Sequence, residues 1–314
     1  MTFAFVFPGQ GSQSIGMMGG YTGLPVIQET FSEASEILKQ DLWSLVNNGA
    51  ADDLNFTVNT QPVMLTAGIA VYRAWTSLGG AKPAIIAGHS LGEYTALVAA
   101  EALSFADALA LVRYRAQAMQ QAVPEGTGGM AAILGLDDAI IETICHEITT
   151  QSNGQSLEPA NFNSPGQIVI AGHIHAIQQG IELAKARGAK RAIMLPVSIP
   201  SHCSLMKPAA EHMKQQLEKI TLQSPHLPIL HNADVKSHSD PATIKDILVQ
   251  QLVKPVRWVD TIRAFAVAGV THVVECGPGK VLAGLNKRID QNLQQLSLAD
   301  SEAIKQAANQ LKAM

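Results

Sequence analysis

One serine of the chain stands in a sequence context typical of a nucleophile. Ser90 lies in AIIAGHSLGEYTALVAA (84–100), with Gly88 two residues before it and Gly92 two residues after it. Small residues at these positions let a serine occupy a sharp strand-to-helix turn with its hydroxyl exposed. The next amide, that of Leu91, would then start a helix and could stabilise an oxyanion. The alternative is a plain turn, but the apolar run before it and the helix-forming run after it favour the nucleophile.

A serine nucleophile needs a base, and the chain has ten histidines. His202, in PVSIPSHCSLMKPAA, lies where a predicted strand ends and a helix begins, so it is a candidate base; helix capping is its alternative role. His89 is adjacent to Ser90, but neighbours on a sharp turn point in different directions, which indicates a supporting residue. Cys203 is a rival nucleophile with no second histidine nearby, and we interpret it as a buried thiol.

A cation could select the acyl group. Arg115 falls on the predicted helix that contains LVRYRAQAMQQ. Helical arginines are usually solvated, but a guanidinium that faces a cleft can hold a carboxylate through two hydrogen bonds. If Arg115 faces the cleft of Ser90, the enzyme would prefer an acyl group that carries its own carboxylate.

The composition narrows the class of protein. The 314 residues are 47% hydrophobic and 15% charged, with a net charge of −4, which indicates a compact fold without the basic footprint of a nucleic-acid-binding protein. MTFAFVFPGQGSQ lacks the basic start of a secretory signal, and no segment offers about 20 uninterrupted apolar residues. Three cysteines without CxxC spacing predict neither a disulfide framework nor a metal site. We expect a cytoplasmic monomer that does not bind membranes.

Short apolar runs alternate with helical patterns, which predicts an α/β fold with a mainly parallel sheet. Each of three predicted strands is followed by glycine, so their turns would line one crevice at the carboxyl ends. These strands are 3–7, 84–88 and 271–277. Residues 127–197 instead show a β-α-β-α-β order typical of a ferredoxin-like subdomain. We predict a discontinuous large domain (1–126 and 198–314) with 127–197 inserted, and a ligand cleft between them.

Eight segments, in order, resemble the malonyl-CoA:acyl carrier protein transacylase family of type II fatty acid synthesis. Each segment alone is weak evidence, but eight in the family's order cover nearly the whole chain and are specific. The resemblance implies an α/β-hydrolase-like large domain with a ferredoxin-like insertion. The segments are FVFPGQGSQ, TQPVMLTAGIAVYRAW, GHSLGEY, AVPEGTGGMAAILG, NFNSPGQIVIAG, GAKRAIMLPVSIPSHCSLMKPAA, QLVKPVRW and VVECGPGKVLAGLNKRI.

The resemblance also implies residue roles. Ser90 would accept the acyl group, His202 would be its base, and the main-chain carbonyl of Gln251 would orient the histidine in place of a triad aspartate. It further implies that the amides of Gln10 and Leu91 form the oxyanion hole and that the side chain of Arg115 binds the malonyl carboxylate. Asn163 would be an additional residue of the cleft.

The implied reaction is a ping-pong transfer of malonyl from malonyl-CoA, through a malonyl-serine, to the phosphopantetheine thiol of acyl carrier protein. It supplies malonyl-acyl carrier protein for fatty acid elongation and uses no cofactor or metal. Because acyl carrier proteins are acidic, a basic docking face is expected, although a solvated surface is the alternative for any such residues. The candidates are Lys190, Arg191, Lys287 and Arg288.

Three other functions stay open. A serine esterase or thioesterase would use the same turn with water as acceptor, but it would not need Arg115. A catalytically silent docking module would not need Ser90, His202 and Gln251 together. An acyltransferase that serves polyketide synthase carrier domains would share all of these residues, and the sequence does not separate it from the fatty acid enzyme.

Overall fold

The computed structural model describes residues 2–152, 154–197 and 199–312, which form two sheets with helices packed on them. In chain order the strands are β1 (Thr2–Phe7), β2 (Ile85–Gly88), β3 (Gly128–Leu134), β4 (Leu157–Ser164), β5 (Gln167–His173), β6 (Arg191–Met194), β7 (Ile229–Leu230), β8 (Val270–Glu275) and β9 (Gln294–Ser297).

The α-helices of the same ranges are α1 (Pro25–Leu38), α2 (Leu42–Asn48), α3 (Ala51–Asn55), α4 (Thr57–Ser77), α5 (Gly92–Ala99), α6 (Phe105–Gln121), α7 (Asp138–Gln151), α8 (Ile174–Ala186), α9 (Lys207–Glu218), α10 (Pro241–Gln251), α11 (Trp258–Val267), α12 (Val281–Ile289) and α13 (Ser301–Lys312). Within the described residues, none of these helices has the length and apolar character needed to cross a membrane.

The larger sheet is parallel throughout, in the order β7-β2-β1-β8-β9. Its central strand β1 is apolar and buried from Phe3 to Phe7 because both faces are covered. Phe5 and Phe7 pack into the core on one face, whereas Ala4 and Val6 pack with Trp258 of α11 on the other. The predicted mainly parallel sheet is confirmed.

The register places three glycine-rich turns side by side. Phe7 at the end of β1 pairs with Gly88 at the end of β2, and Val6 pairs with Glu275 at the end of β8. A Cβ on Gly277 would lie 2.8 Å from the Pro8 ring, so the turn after β8 packs directly on the turn after β1. The carboxyl ends of these strands therefore lie side by side at one edge of the sheet, where open α/β sheets bind their ligands.

The smaller sheet is antiparallel, in the order β4-β5-β3-β6, with α7 and α8 packed on one face. The prediction of β-α-β-α-β was wrong by one element, because 157–164 forms β4 and the order is β-α-β-β-α-β. The segment LEPANFNS contains a proline, lacks apolar alternation, and shifts register twice against β5, so it carries a weak strand signal. The strand order is that of the predicted ferredoxin-like subdomain.

Strand β4 of the smaller sheet is also hydrogen-bonded to a residue outside that sheet, Val256. The amide of Val256 donates to the carbonyl of Ala160 (2.9 Å), and the amide of Phe162 donates to the carbonyl of Val256 (3.0 Å). The division of the chain at 126/127 and 197/198 stays a prediction, and Ser198, Met1 and Met314, which fall at its boundaries, lie outside the described residues.

Candidate active site

Ser90 occupies a strained turn between β2 and α5. Its φ of 51° lies in the left-handed region that non-glycine residues rarely adopt. A Cβ on Gly88 would overlap the backbone of Gly92, and a Cβ on Gly92 would overlap the carbonyl of Phe7. The two glycines of the motif are therefore required by the close approach of three backbone segments, as the nucleophile interpretation predicted.

The side chain of Asn232 holds this turn from outside the motif. Its Oδ1 accepts a hydrogen bond from the amide of Ser90 (2.7 Å), and its Nδ2 donates to the carbonyl of Gly88 (2.7 Å). Asn232 is fully buried and comes two residues after β7. A buried bidentate amide of this kind offsets the backbone strain at Ser90.

His202 lies within hydrogen-bonding distance of Ser90. The distance from Ser90 Oγ to His202 Nε2 is 2.7 Å, and that from His202 Nδ1 to the carbonyl oxygen of Gln251 is also 2.7 Å. A carbonyl can only accept, so Nδ1 carries the proton and Nε2 is free to accept the serine hydroxyl proton. Ser90 and His202 thus form a serine–histidine pair, and the main-chain carbonyl of Gln251 orients the histidine.

The environment of His202 keeps its imidazole neutral. Burial lowers the pKa of His202 from 6.5 to about 3, and the nearby Arg115 cation adds to this effect. A neutral imidazole can accept a proton, whereas an imidazolium cannot, so the ring is in the state that a general base requires.

Arg115 presents a buried cation beside the serine. Its side chain, on α6, is 1% exposed; Nη1 donates to Gln61 Oε1 (2.8 Å), and Nη2 donates to Gln251 Oε1 (3.0 Å) and to Ser90 Oγ (3.3 Å). No carboxylate of the described residues forms a salt bridge with it. Burial lowers the pKa of Arg115, as expected for a cation held by neutral partners. The arrangement suits an incoming anion next to the serine.

Gln10 and Leu91 lie on the two turns that meet at Ser90. A Cβ on Gly9 would overlap the carbonyl of His89 and lie 3.6 Å from the amide nitrogen of Leu91. Leu91 immediately precedes α5, so its amide points from a helix N-terminus. In the part of the chain that the structure describes, neither amide donates a hydrogen bond to another group, so both are free for an oxyanion.

A buried carboxylate, Glu93, lies beneath the site. Its Oε1 is 2.8 Å from His231 Nδ1, and its Oε2 accepts from the amide of Asn232 (3.0 Å) and from Gln251 Nε2 (2.9 Å). Gln251 Nε2 also donates to the carbonyl of Ser90 (3.0 Å). The side chain of Gln251 is therefore fixed at both ends, in addition to the role of its carbonyl.

The predicted cleft residue Asn163 lies on β4 and contacts the motif. Its Oδ1 is 2.8 Å from Nε2 of His89, whose ring also packs against Trp258. His89 is therefore a supporting residue that joins the smaller sheet to the nucleophile turn. Cys203 is a fully buried thiol that donates to the carbonyl of Pro200 (3.2 Å), in line with its sequence interpretation.

The predicted basic residues form two exposed pairs near one end of the smaller sheet. Arg191 pairs with Leu134 of β3, whose other neighbour Gln167 accepts a hydrogen bond from Arg288 (2.9 Å). No carboxylate within the described residues forms a salt bridge with any of the four. They are Lys190, Arg191, Lys287 and Arg288.

Three buried polar residues of the site were missed from the sequence. Gln61 and Glu93 each lie in helices whose other residues are mostly buried, and a long polar side chain in such a segment is the signal that could have found them. Asn232 follows a strand of only two residues, which no periodicity could reveal.

Within 2–152, 154–197 and 199–312, no group of three or more His, Cys, Asp or Glu residues could hold a metal ion.

The comparisons with known proteins agree on one family. A family model described as acyl transferase domain matches residues 4–307. The malonyl CoA-acyl carrier protein transacylase of Salmonella typhimurium is 53% identical over 309 residues, which is 98% of this chain and 99% of that protein. The crystal structure of an acyl-carrier-protein S-malonyltransferase from Burkholderia pseudomallei 1710b has a TM-score of 0.96 and 55% identity, with 98% of this chain and 100% of that chain covered.

A third similar protein was solved with a partner. It is a malonyl-transacylase in complex with a type II polyketide synthase acyl carrier protein, with a TM-score of 0.96 and 47% identity. The comparison covers 99% of this chain and 100% of that one.

Proposed function

Because the chain belongs to the acyl transferase domain family, we propose that it transfers malonyl from malonyl-CoA to the phosphopantetheine thiol of acyl carrier protein. One observation carries the choice of acyl group: the buried guanidinium of Arg115 has no carboxylate partner in the described residues and lies 3.3 Å from Ser90 Oγ. A thioester whose acyl group ends in a carboxylate would place that group on Arg115 and its carbonyl carbon at the serine.

The first half-reaction builds the acyl-enzyme. Ser90 Oγ attacks the thioester carbonyl while its proton moves to Nε2 of His202. The negative oxygen of the tetrahedral intermediate faces the free amides of Gln10 and Leu91. The carbon–sulfur bond then breaks, the proton on His202 passes to the departing thiolate, and coenzyme A leaves a malonyl-Ser90 ester.

The second half-reaction runs the same steps with another thiol. His202 accepts the proton of the phosphopantetheine thiol, and the thiolate attacks the ester carbonyl. The bond between the acyl carbon and Ser90 Oγ breaks as the thioester forms, and Oγ recovers its proton from His202. The carboxylate stays on Arg115 throughout, so the acyl group keeps one orientation while the two thiols exchange.

Acyl carrier protein is the proposed partner, and a similar transacylase was solved with one. The exposed pairs Lys190–Arg191 and Lys287–Arg288 are the proposed docking residues, since both stand at the end of the smaller sheet marked by Gln167. Asn163, which contacts His89, is on the adjoining strand next to the partner of Gln167, Ser164. A carrier bound there would be close to the nucleophile turn.

We further propose that the enzyme acts as a cytoplasmic monomer and that its product serves fatty acid elongation. The proposed steps need no cofactor or metal, because the two thioester substrates, the serine and the histidine supply every bond and proton.

Intact-mass measurement of the chain with malonyl-CoA tests the function. We expect one malonyl adduct on Ser90, none on Ser90→Ala, and discharge of the adduct when holo-acyl carrier protein is added. A lasting absence of adduct on the folded protein would indicate a docking module. Loss of the adduct to water, at the same rate with and without carrier, would indicate a thioesterase. Comparing fatty acid and polyketide carrier proteins as acceptors identifies the client.

A further inference from the structure

Glu93 is a charged group that the proposed steps do not use. It lies on the first turn of α5 and is fully buried, yet its carboxylate satisfies three donors: His231 Nδ1, the amide of Asn232 and Gln251 Nε2. A buried carboxylate is costly unless it is hydrogen-bonded in this way. The donors matter here because two of them belong to residues that contact the proposed site.

One oxygen of the carboxylate, Oε2, reaches the site through two different residues. Asn232, held by its amide on Glu93, clamps the turn of Ser90 through its side chain. Gln251, held by Nε2 on Glu93, donates to the Ser90 carbonyl and accepts from Arg115 Nη2 through Oε1. The Glu93 carboxylate therefore supports both the backbone of Ser90 and the guanidinium of Arg115.

The Gln251 amide connects two buried groups of opposite charge. Its N–H end faces the Glu93 carboxylate and its oxygen faces the Arg115 guanidinium. The reversed orientation would place an NH₂ group against the cation and an oxygen against the anion, and both contacts would be repulsive. Hydrogen bonds to ionised groups are about twice as strong as neutral ones, so the two charges together fix the amide.

We propose, on the basis of the proposed function, that Glu93 is a positioning residue: its charge orients the Gln251 amide and through it the guanidinium of Arg115. The arrangement also explains how the Arg115 cation stays buried with no salt bridge to any described residue. A carboxylate in direct contact with Arg115 would compete with the substrate's carboxylate, whereas one that acts across an amide leaves the guanidinium open.

Glu93→Gln is the informative substitution because it removes the charge and keeps the shape. Its amide oxygen can take the place of Oε2 toward Asn232 and Gln251, and its NH₂ can donate to His231 Nδ1 once that ring carries its proton on Nε2. The neutral side chain holds the Gln251 amide in its orientation less strongly than the carboxylate does. The placement of the guanidinium, and not only protein stability, should therefore change.

The experiment measures single-turnover acylation of Ser90 by malonyl-CoA and by acetyl-CoA and compares the ratio of the two rate constants. We expect Glu93→Gln to lower the malonyl-to-acetyl ratio by about fivefold or more, the size of coupling seen between residues of one network. Gln251→Leu keeps the main-chain acceptor of His202 but removes the amide. In that background, Glu93→Gln should change the ratio by less than about twofold.

Glu101→Gln is the matched control, since Glu101 also pairs with a histidine, His226 (3.0 Å), but at the surface; its ratio should equal that of the wild type. An unchanged ratio in Glu93→Gln, or an equal change in both Gln251 backgrounds, would overturn the proposal. So would a failure of Glu93→Gln to fold, because the network would then be a folding requirement. The wild-type adduct is a separate outcome: its absence would overturn the proposed function itself.

Discussion

The imidazole of His202 donates its Nδ1 proton to the main-chain carbonyl of Gln251 at 2.7 Å, and not to a carboxylate. A carbonyl fixes the tautomer as well as an aspartate would, but it places no negative charge beside the ring. The histidine therefore gains orientation without the electrostatic stabilisation of its protonated form, and burial and Arg115 both act against that form.

The acylation rate should consequently show no loss of the base at mildly acidic pH. Because the pKa of His202 is lowered to about 3, the ring stays neutral when the pH falls from 7 to 5. We expect a nearly constant single-turnover rate for malonyl transfer to Ser90 over that range. A rate that falls with a midpoint near 6.5, the ordinary value for histidine, would contradict this assignment.

The lowered pKa of His202 also makes the free energy of unfolding depend on pH. Between about pH 3 and pH 6.5 the unfolded chain binds a proton at His202 that the folded chain does not. The contribution of His202 to the free energy of unfolding is therefore complete above 6.5 and is lost as the pH falls. Denaturant titrations of the wild type and His202→Asn at pH 7 and pH 5 check this, since the variant should lose less stability.

Removing the guanidinium should change which acyl group is transferred. We expect Arg115→Ala to lose about 3 kcal/mol or more in malonyl kcat/KM, roughly a hundredfold, because it removes a buried charge-assisted contact. Acetyl transfer should gain relative to malonyl transfer. Arg115→Lys should recover only part of the loss, since it keeps the charge but not the planar fork. Unchanged malonyl-to-acetyl selectivity in Arg115→Ala would exclude the carboxylate role.

Because the backbone around the Ser90 turn is crowded, one added methyl group there should strongly destabilise the protein. In Gly92→Ala the new Cβ would overlap the carbonyl of Phe7, so we expect a loss of more than about 2 kcal/mol in the free energy of unfolding. Gly284→Ala, in α12, is the control because its Cβ would meet nothing within 4 Å. That variant should gain about 0.5–1 kcal/mol. Equal effects in urea denaturation would contradict the crowding.

Reversal of charge at the docking pair should affect one substrate only. We expect Lys190→Glu combined with Arg191→Glu to raise KM for acyl carrier protein at low salt and to leave the coenzyme A half-reaction unchanged, because the pair is exposed and interacts through its charge. Lys214→Glu with Lys219→Glu, an exposed pair on and after α9, is the control. Equal changes in both half-reactions would rule out docking.

The turn of Ser90 could be predicted from the sequence because its glycines lie in a local motif, whereas the roles of Gln251, Gln10 and Asn163 were implied only by the family resemblance. The glycine spacing around Ser90 has a backbone cause, and apolar runs such as β1 are buried on both faces. Glu93 and Asn232 could not be placed, because their partners lie about 140 residues away and depend on packing. Strand β4 escaped prediction since its ladder to β5 is irregular and its sequence is polar.

The pairing of β4 with Val256 has a consequence for exchanging parts between relatives. The strands of the smaller sheet lie within residues 128–194, so two chain connections lead to them, and the hydrogen bonds of Ala160 and Phe162 with Val256 make a third, non-covalent link. A chimera cut only at these two connections would separate β4 from the segment around Val256 with which it pairs. The unit that can be transplanted is therefore discontinuous: the residues of the smaller sheet must be exchanged together with the segment around Val256.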